Sequence, residues 1–437
     1  MTKDRDNKPF MTSRRGLLLG AGAAGSVLAA GITASQAASS HGEQVTDAPV
    51  SDKMLEEQPF HGHYQSGIVT PRPAAGMVAS FRVLASKPEE VERLFRSLTE
   101  RIAFLMKGGT PPALDDKLPP ADSGILGPVV LPDNLTITVS LGASFFEQRE
   151  WLSSHKPARL SRMKAFKNDA LDQSLCHGDL SLQISSNTPD TNIHALRDIL
   201  KNLPDLMVLR WKQEGSVPVL PRSPDGTHQS ARNFLGFRDG SANPDAGDAG
   251  LMQRIVWIQD SGDEPAWARN GSYQAVRIIR NFVERWDRTP LGEQERIIGR
   301  LKPSGAPFGG RTETEVPDYA KDPDGAVTPL DAHIRLANDR SKAADAHLIL
   351  RRPFNYSNGV SKSGQLEQGL LFICYQADLE KGFIAVQNKL NGEPLEEYIK
   401  PIGGGFFFTL PGVTGADDFL GRTLLEAAGH TPTNTKS

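Results

Sequence analysis

Apolar and polar positions along this chain change period several times, and each change marks an element. Val78, Ser80 and Arg82 alternate with Ala79, Phe81 and Val83, the period of two that predicts a strand. Val91, Leu94, Phe95, Leu98 and Ile102 then recur at helical spacing. NLTITVSLG and LSLQISSN predict two more strands, TNIHALRDILKNL a helix opening on a Thr191 or Asn192 cap, and LMVLRWKQEG a fourth strand. The order β-α-β-β-α-β is that of a ferredoxin-like unit.

The second half repeats part of this pattern. GLMQRIVWIQD and SYQAVRIIRNFVERW predict strands, TPLGEQERIIGRL a helix capped at Thr289, HLILRRPFNYS and GLLFICYQ apolar strands, DLEKGFIAVQNKL a helix, and GGGFFFTLPG a late aromatic strand. A second α+β unit beside the first is the economical reading, with the join near VPVLPRSPDGTHQS (217–230). The stretch 302–329 has few periodic apolar residues and many Pro, Gly and Asp, and is too long for a mere connection.

The first 40 residues stand apart. Arg14-Arg15 precede an apolar, Gly/Ala-rich run from Gly16 to Ile32, and Ser35-Gln36-Ala37 suits a signal-peptidase site. This resembles a twin-arginine export signal, with cleavage after Ala37 and delivery to the periplasm or outside the cell. The run is too short and glycine-rich to read as a membrane span. Gly20-Ala21-Gly22-Ala23-Ala24-Gly25 fits the dinucleotide fingerprint in letters. No strand precedes it inside a leader peptide, so it is rejected.

Composition narrows the chemistry. The 437 residues are 38% hydrophobic and 23% charged, with a net charge of −3, so no basic field recommends nucleic acid as a partner. Cys176 and Cys374 have no CxxC partner and build no zinc or iron–sulfur site. The ten histidines form no multi-histidine metal signature, and His61-Gly62-His63 reads as surface. A site here uses one histidine at a time, as an axial haem ligand does.

NFLGFRDGSANP (233–244) places Arg238 and Asp239 between Gly236 and Gly240. By itself it reads as a solvated hairpin tip, just as His333 alone reads as a loop histidine and Arg351-Arg352 as a strand end. Together they resemble the dye-decolorising haem peroxidase family, whose hallmark is GxxDG with a distal Asp, a distal Arg and a proximal His. Gly236 to Gly240 supply the motif, and Arg351 follows His333 by 18 residues, the matching spacing. ERIIGRLKPSGAPFGG, IVTPRPAAGM and GGGFFFTLPG extend the resemblance over nearly the whole chain beyond the leader, toward the exported branch tied to ferrous-iron uptake.

The resemblance implies an α+β fold of two ferredoxin-like domains with antiparallel sheets, with haem b in the C-terminal one. The corresponding division is a leader over 1–37, an arm over 38–70, and domains over 71–222 and 223–437. It implies His333 as axial ligand to the haem iron, Asp239 as proton shuttle and Arg351 as stabiliser of the anionic oxygen. Arg300 is expected at a haem propionate, Arg238 as an ion-pair or propionate partner, Gly240 as part of the cofactor-binding turn, and Asp417 or Asp418 as the acid behind His333. A carboxylate titrates near ~4 and an imidazole near ~6.5, so an aspartate shuttle places the activity optimum on the acid side.

Three functions compete. One is peroxide reduction coupled to oxidation of dyes, phenols or porphyrinogens. The second is release of iron from haem with the porphyrin ring intact, and the third is haem carriage without catalysis. A distal Asp–Arg pair argues against carriage, which needs no acid–base group. The expected partners are hydrogen peroxide, small organic reductants or haem. Proteins of the iron-uptake operon and a second copy in a homodimer are left open. Trp257, Trp267, Trp286 and Tyr356 are available for electron transfer, none preferred over the others.

Overall fold

The computed structural model describes residues 52–220, 229–260 and 262–433. The leader expected over 1–37 lies outside the described residues. Nine strands make one sheet: β1 Ala75–Val83, β2 Thr136–Gly142, β3 Leu180–Ser186, β4 Met207–Ser216, β5 Ser272–Asn281, β6 Leu350–Arg351, β7 Phe354–Val360, β8 Leu366–Gln376 and β9 Ile399–Thr409.

The first four strands lie side by side in the order β2-β3-β1-β4, all antiparallel. The helix Pro88–Lys107 joins β1 to β2, and Pro189–Asn202 joins β3 to β4. The later strands repeat the order as β7-β8-β5-β9, antiparallel throughout. The chain is thus an α+β protein of two ferredoxin-like units. Their sheets meet at two seams. β9 pairs with β2 over Ser140↔Thr409, Leu141↔Phe408 and Gly142↔Phe407, and β4 meets β7 at Ser216↔Asn355. With β5 also paired to β8, the strands close into a ring.

Closure explains how both faces of β1, β2 and β3 are buried. The residues Ile137, Val139, Leu141, Leu182 and Ile184 pack outward against Val91, Leu94, Phe95, Leu98 and Ile102 of the first helix and its neighbours. The alternate residues Thr138, Ser140, Ser181 and Gln183 point into the ring and are at most 1% exposed. Buried polar groups must find partners. The Tyr375 hydroxyl donates to Gln183 Oε1 at 2.8 Å while accepting from Gln274 Nε2 at 2.8 Å, and Ser140 and Thr409 bridge the seam at 2.8 Å.

Several expected elements differ. GLMQRIVWIQD contains the helix Ala249–Ile255, not a strand, because Asp248 caps it by accepting from Leu251 N at 2.9 Å. The second helix of the first unit begins earlier than expected, at Pro189 with Thr188 as N-cap rather than Thr191 or Asn192. The helix Leu291–Ile298 follows Pro290, not a Thr289 cap. SYQAVRIIRNFVERW ends β5 at Asn281 and turns into a short helix, Val283–Trp286. Cys176 and Cys374 are both buried free thiols.

Candidate active site

The stretch 231–239 is a tight hairpin. Arg232 and Arg238 form a bridge, Asn233 N donates to Phe237 O at 2.9 Å, and Asp239 N donates to Ala231 O at 2.8 Å. Gly236 turns the chain at φ +87°, a conformation that calls for glycine. The apolar entry anchors the turn: Phe237 packs edge-on to Trp286, whose indole N–H donates to Leu235 O at 2.8 Å. With its neighbours fixed, Asp239 projects into a cavity.

There Asp239 Oδ1 accepts from Arg351 Nη1 at 2.5 Å. Arg351 ends β6, and Asn243 holds its backbone from both sides: Arg351 N donates to Asn243 Oδ1 at 2.9 Å, and Asn243 Nδ2 donates to Arg351 O at 3.0 Å. The ion pair is therefore built from two loops tied to each other, with the two side chains 13% and 26% exposed.

His333 faces the same cavity. It sits at the start of the short helix His333–Ala337 rather than in a plain loop. Its Nδ1–H donates to Glu393 Oε2 at 2.6 Å, and that carboxylate is 4% exposed. The proton on Nδ1 leaves Nε2 as the free ring nitrogen. Burial opposes the charged imidazolium, but Glu393 outweighs it and holds the imidazole above its ordinary range. The acid behind His333 is thus Glu393, not Asp417 or Asp418. Asp417 is exposed, and Asp418 is held by Arg422 Nε at 2.7 Å and by Thr414.

The cavity has a volume of about 280 Å³ and opens to solvent. Ile279, Ile298, Leu370, Phe372 and Phe383 give it apolar walls, and Arg238, Arg300 and Arg340 line it too. Arg300 is 4% exposed, and its Nη1 donates to Gly305 O at 2.7 Å and Glu313 O at 2.9 Å. Arg238 makes no ion pair among the described residues. Its Nη1 donates to Ser230 O at 2.7 Å and its Nη2 bonds Gln229, while Nε is buried without a partner. Gly240 packs on Ser230, whose Oγ would lie 2.8 Å from an added Cβ. Arg340, which the sequence did not single out, holds φ +60° and has a buried Nε without a partner. A second cavity meets the first at Asp239, Gly240, Pro244 and Arg351, and brings in Arg72 and Arg352.

A histidine held by a buried carboxylate and an Asp–Arg pair on one apolar-walled cavity agree with two family matches. The description "Dyp-type peroxidase, N-terminal" fits residues 65–216 and "Dyp-type peroxidase, C-terminal" fits residues 230–414. The chain belongs to the Dyp-type peroxidase family. This Dyp-type peroxidase is 52% identical over 423 residues to the Deferrochelatase of Yersinia pseudotuberculosis serotype I, covering 97% of each chain. It is 54% identical over 419 residues to that of Shigella flexneri serotype 5b, covering 95% of this chain and 97% of the relative. Among solved structures, a DyP-type peroxidase from Streptomyces coelicolor superposes with a TM-score of 0.77 at 33% identity, covering 87% of this chain and all 100% of the other. Ferric DtpA from Streptomyces lividans gives 0.76 at 32% identity, covering 87% and 100%. The family read from GFRDG, His333 and Arg351, and its α+β fold, are thereby established.

Proposed function

We propose that this enzyme binds haem b in the cavity between the His333–Glu393 and Asp239–Arg351 pairs, in the C-terminal unit, and uses it to reduce hydrogen peroxide. The observation that carries this reading is the convergence of the two pairs on one cavity. The donor set fits the group: an imidazole with a free Nε2, apolar walls for a flat ring, and the guanidinium N–H groups of Arg238 and Arg340 left without partners where carboxylates need donors.

Haem supplies a redox-active iron when bound. His333 would hold that iron through Nε2, and Glu393 fixes the ring's tautomer and raises its basicity as a ligand. Asp239 would take a proton from one peroxide oxygen and return it to the other as the O–O bond breaks, acting as base and then acid. The Arg351 guanidinium stabilises negative charge on the oxygen as the O–O bond breaks. Arg238 and Arg340, with their unpartnered N–H groups, and Arg300 on the same cavity are assigned to the propionates. Small organic donors, dyes or phenols then return the electrons.

The test is a spectrum. The purified protein reconstituted with haem should show a Soret band that changes on adding peroxide. Asp239→Ala and Arg351→Ala should abolish the change while the resting band persists. Absence of a Soret band after reconstitution would overturn the reading.

A second reading is favoured by the name of the 52–54% identical relatives: release of iron from haem with the porphyrin ring intact. Recovery of metal-free porphyrin with stoichiometric chelatable iron would support it. Export by the twin-arginine route, to the periplasm or beyond, is proposed from the Arg14-Arg15 leader. Retention of a double Arg→Lys variant in the cytoplasm would test it. Association with iron-uptake proteins and a homodimer rest on the family resemblance and are read by co-purification and light scattering.

A further inference from the structure

The long segment 302–329 contributes one buried carboxylate to the site. Glu313 is 8% exposed. Its two oxygens go to the two residues that flank the Asp239 turn: Ser230 N donates to Oε1 at 2.9 Å, and Ser241 Oγ donates to Oε2 at 2.8 Å. Its own carbonyl accepts from Arg300 Nη1 at 2.9 Å. Its charge also opposes the loss of charge on half-buried Arg232 and buried Arg300.

We propose that Glu313 is a positioning residue for the peroxide reaction, closing the Asp239 hairpin so that the carboxylate stays aimed at Arg351; this rests on Asp239 being the proton carrier. The hairpin is a ladder whose rungs run outward from Asn233–Phe237 to Ala231–Asp239. In the same register Ser230 comes to lie against Gly240, and beyond the last rung the Glu313 carboxylate joins Ser230 to Ser241, the residue after Gly240. Ser230 is pinned a second time through its carbonyl by Arg238, and its hydroxyl packs on Gly240. Loss of the carboxylate leaves Asp239 at the end of a frayed two-rung turn.

Glu315, two residues on, shows what an acid serving its own loop looks like. It is exposed, and its Oε1 accepts from Arg311 N at 2.8 Å and Thr312 N at 2.7 Å. Glu313 instead accepts the cost of a buried carboxylate to bind across to another loop. The arrangement also links the two ends of the cavity, since the same residue anchors Arg300 by its backbone and the Asp239 turn by its side chain.

The experiment uses Glu313→Ala, Glu313→Gln and Ser241→Ala, with exposed Val316→Ser as the control in the same segment. Gln preserves both bonds, because its oxygen accepts from Ser230 N and its amide donates to the Ser241 hydroxyl. Hydrogen exchange over residues 229–243 is measured on both the haem-free and haem-loaded protein. Glu313→Ala should expose the Ser230 and Asp239 amides, Ser241→Ala should do so less, and Glu313→Gln should remain protected. In the loaded protein the second-order rate constant for peroxide should fall about tenfold to a hundredfold in Glu313→Ala, the scale of a misplaced catalytic group. Haem affinity should stay unchanged, and Glu313→Gln should restore most of the rate. Native protection in Glu313→Ala, or a Gln variant as impaired as Ala, overturns the proposal. If Asp239→Asn itself leaves the peroxide step unchanged, the Asp239 reading fails while the exchange result still reports the clamp.

Discussion

Replacing Glu393 by Gln tests the geometry on the histidine side. The 2.6 Å bond from His333 Nδ1 ends on a carboxylate with 4% exposure, so it is charge-assisted and shielded from water. Gln keeps an acceptor near Nδ1 and removes the charge, which lowers the basicity of Nε2 as a ligand. Loss of such an outer partner costs about tenfold to a hundredfold in metal affinity, or about 1.4–2.8 kcal/mol. Haem is titrated into the apoprotein and followed at the Soret band, with Asp417→Asn and Asp418→Asn in parallel. The Gln variant should bind haem more weakly by that factor, and both Asn variants should match the parent. Parent-like affinity in Glu393→Gln, or weakening in Asp417→Asn, would refute the assignment of Glu393 as the partner of His333.

Asp239→Asn should lower the peroxide rate constant by about 10²- to 10⁴-fold, the range for general acid–base catalysis, with an unchanged resting spectrum; stopped-flow absorbance checks this. Asp169→Ala should destabilise the fold by about 3–5 kcal/mol in urea denaturation, because it strands the Arg277 charge in a pair whose side chains are each 1% exposed. Glu92 resists burial through bonds from His430, Arg96 and Thr433 that hold its carboxyl at about 2, against 4.5 unfolded. That depressed value contributes stability above pH 4.5 and loses it as pH falls toward about 2. Glu92→Gln should flatten the decline in Tm over that window, and an unchanged slope would count against the anchor.

The strands of the first unit were legible because Ala79, Phe81 and Val83 keep strict alternation with Val78, Ser80 and Arg82. Where Thr138, Ser140, Ser181 and Gln183 point was not legible. A polar alternate face ordinarily meets solvent, and only the closing pairs between halves distant in sequence turn it inward. GLMQRIVWIQD misled because Val256, Trp257 and Ile258 make an apolar run that reads as a strand, while the capping signal at Asp248 lies just before it. In the site, Asp239, His333 and Arg351 are reached through the resemblance of GFRDG, His333 and Arg351 to the family pattern, since each alone reads as an ordinary loop or strand-end residue. Asn243 lies within NFLGFRDGSANP, but nothing local marks it as the residue that holds the Arg351 backbone 108 positions on. Glu393 gave no local signal: it lies 60 residues from His333, among Glu396 and Glu397, and only the fold distinguishes it from them.

The seams of the ring impose an order on the chain's assembly. β9, the last strand, fills the gap between β5 and β2, so a chain cut short before residue 399 leaves both of those edges unpaired and the polar lining open. Exposed strand edges template unwanted pairing between molecules. A chain truncated before residue 399 should therefore aggregate where the full chain does not, and light scattering of the two checks this.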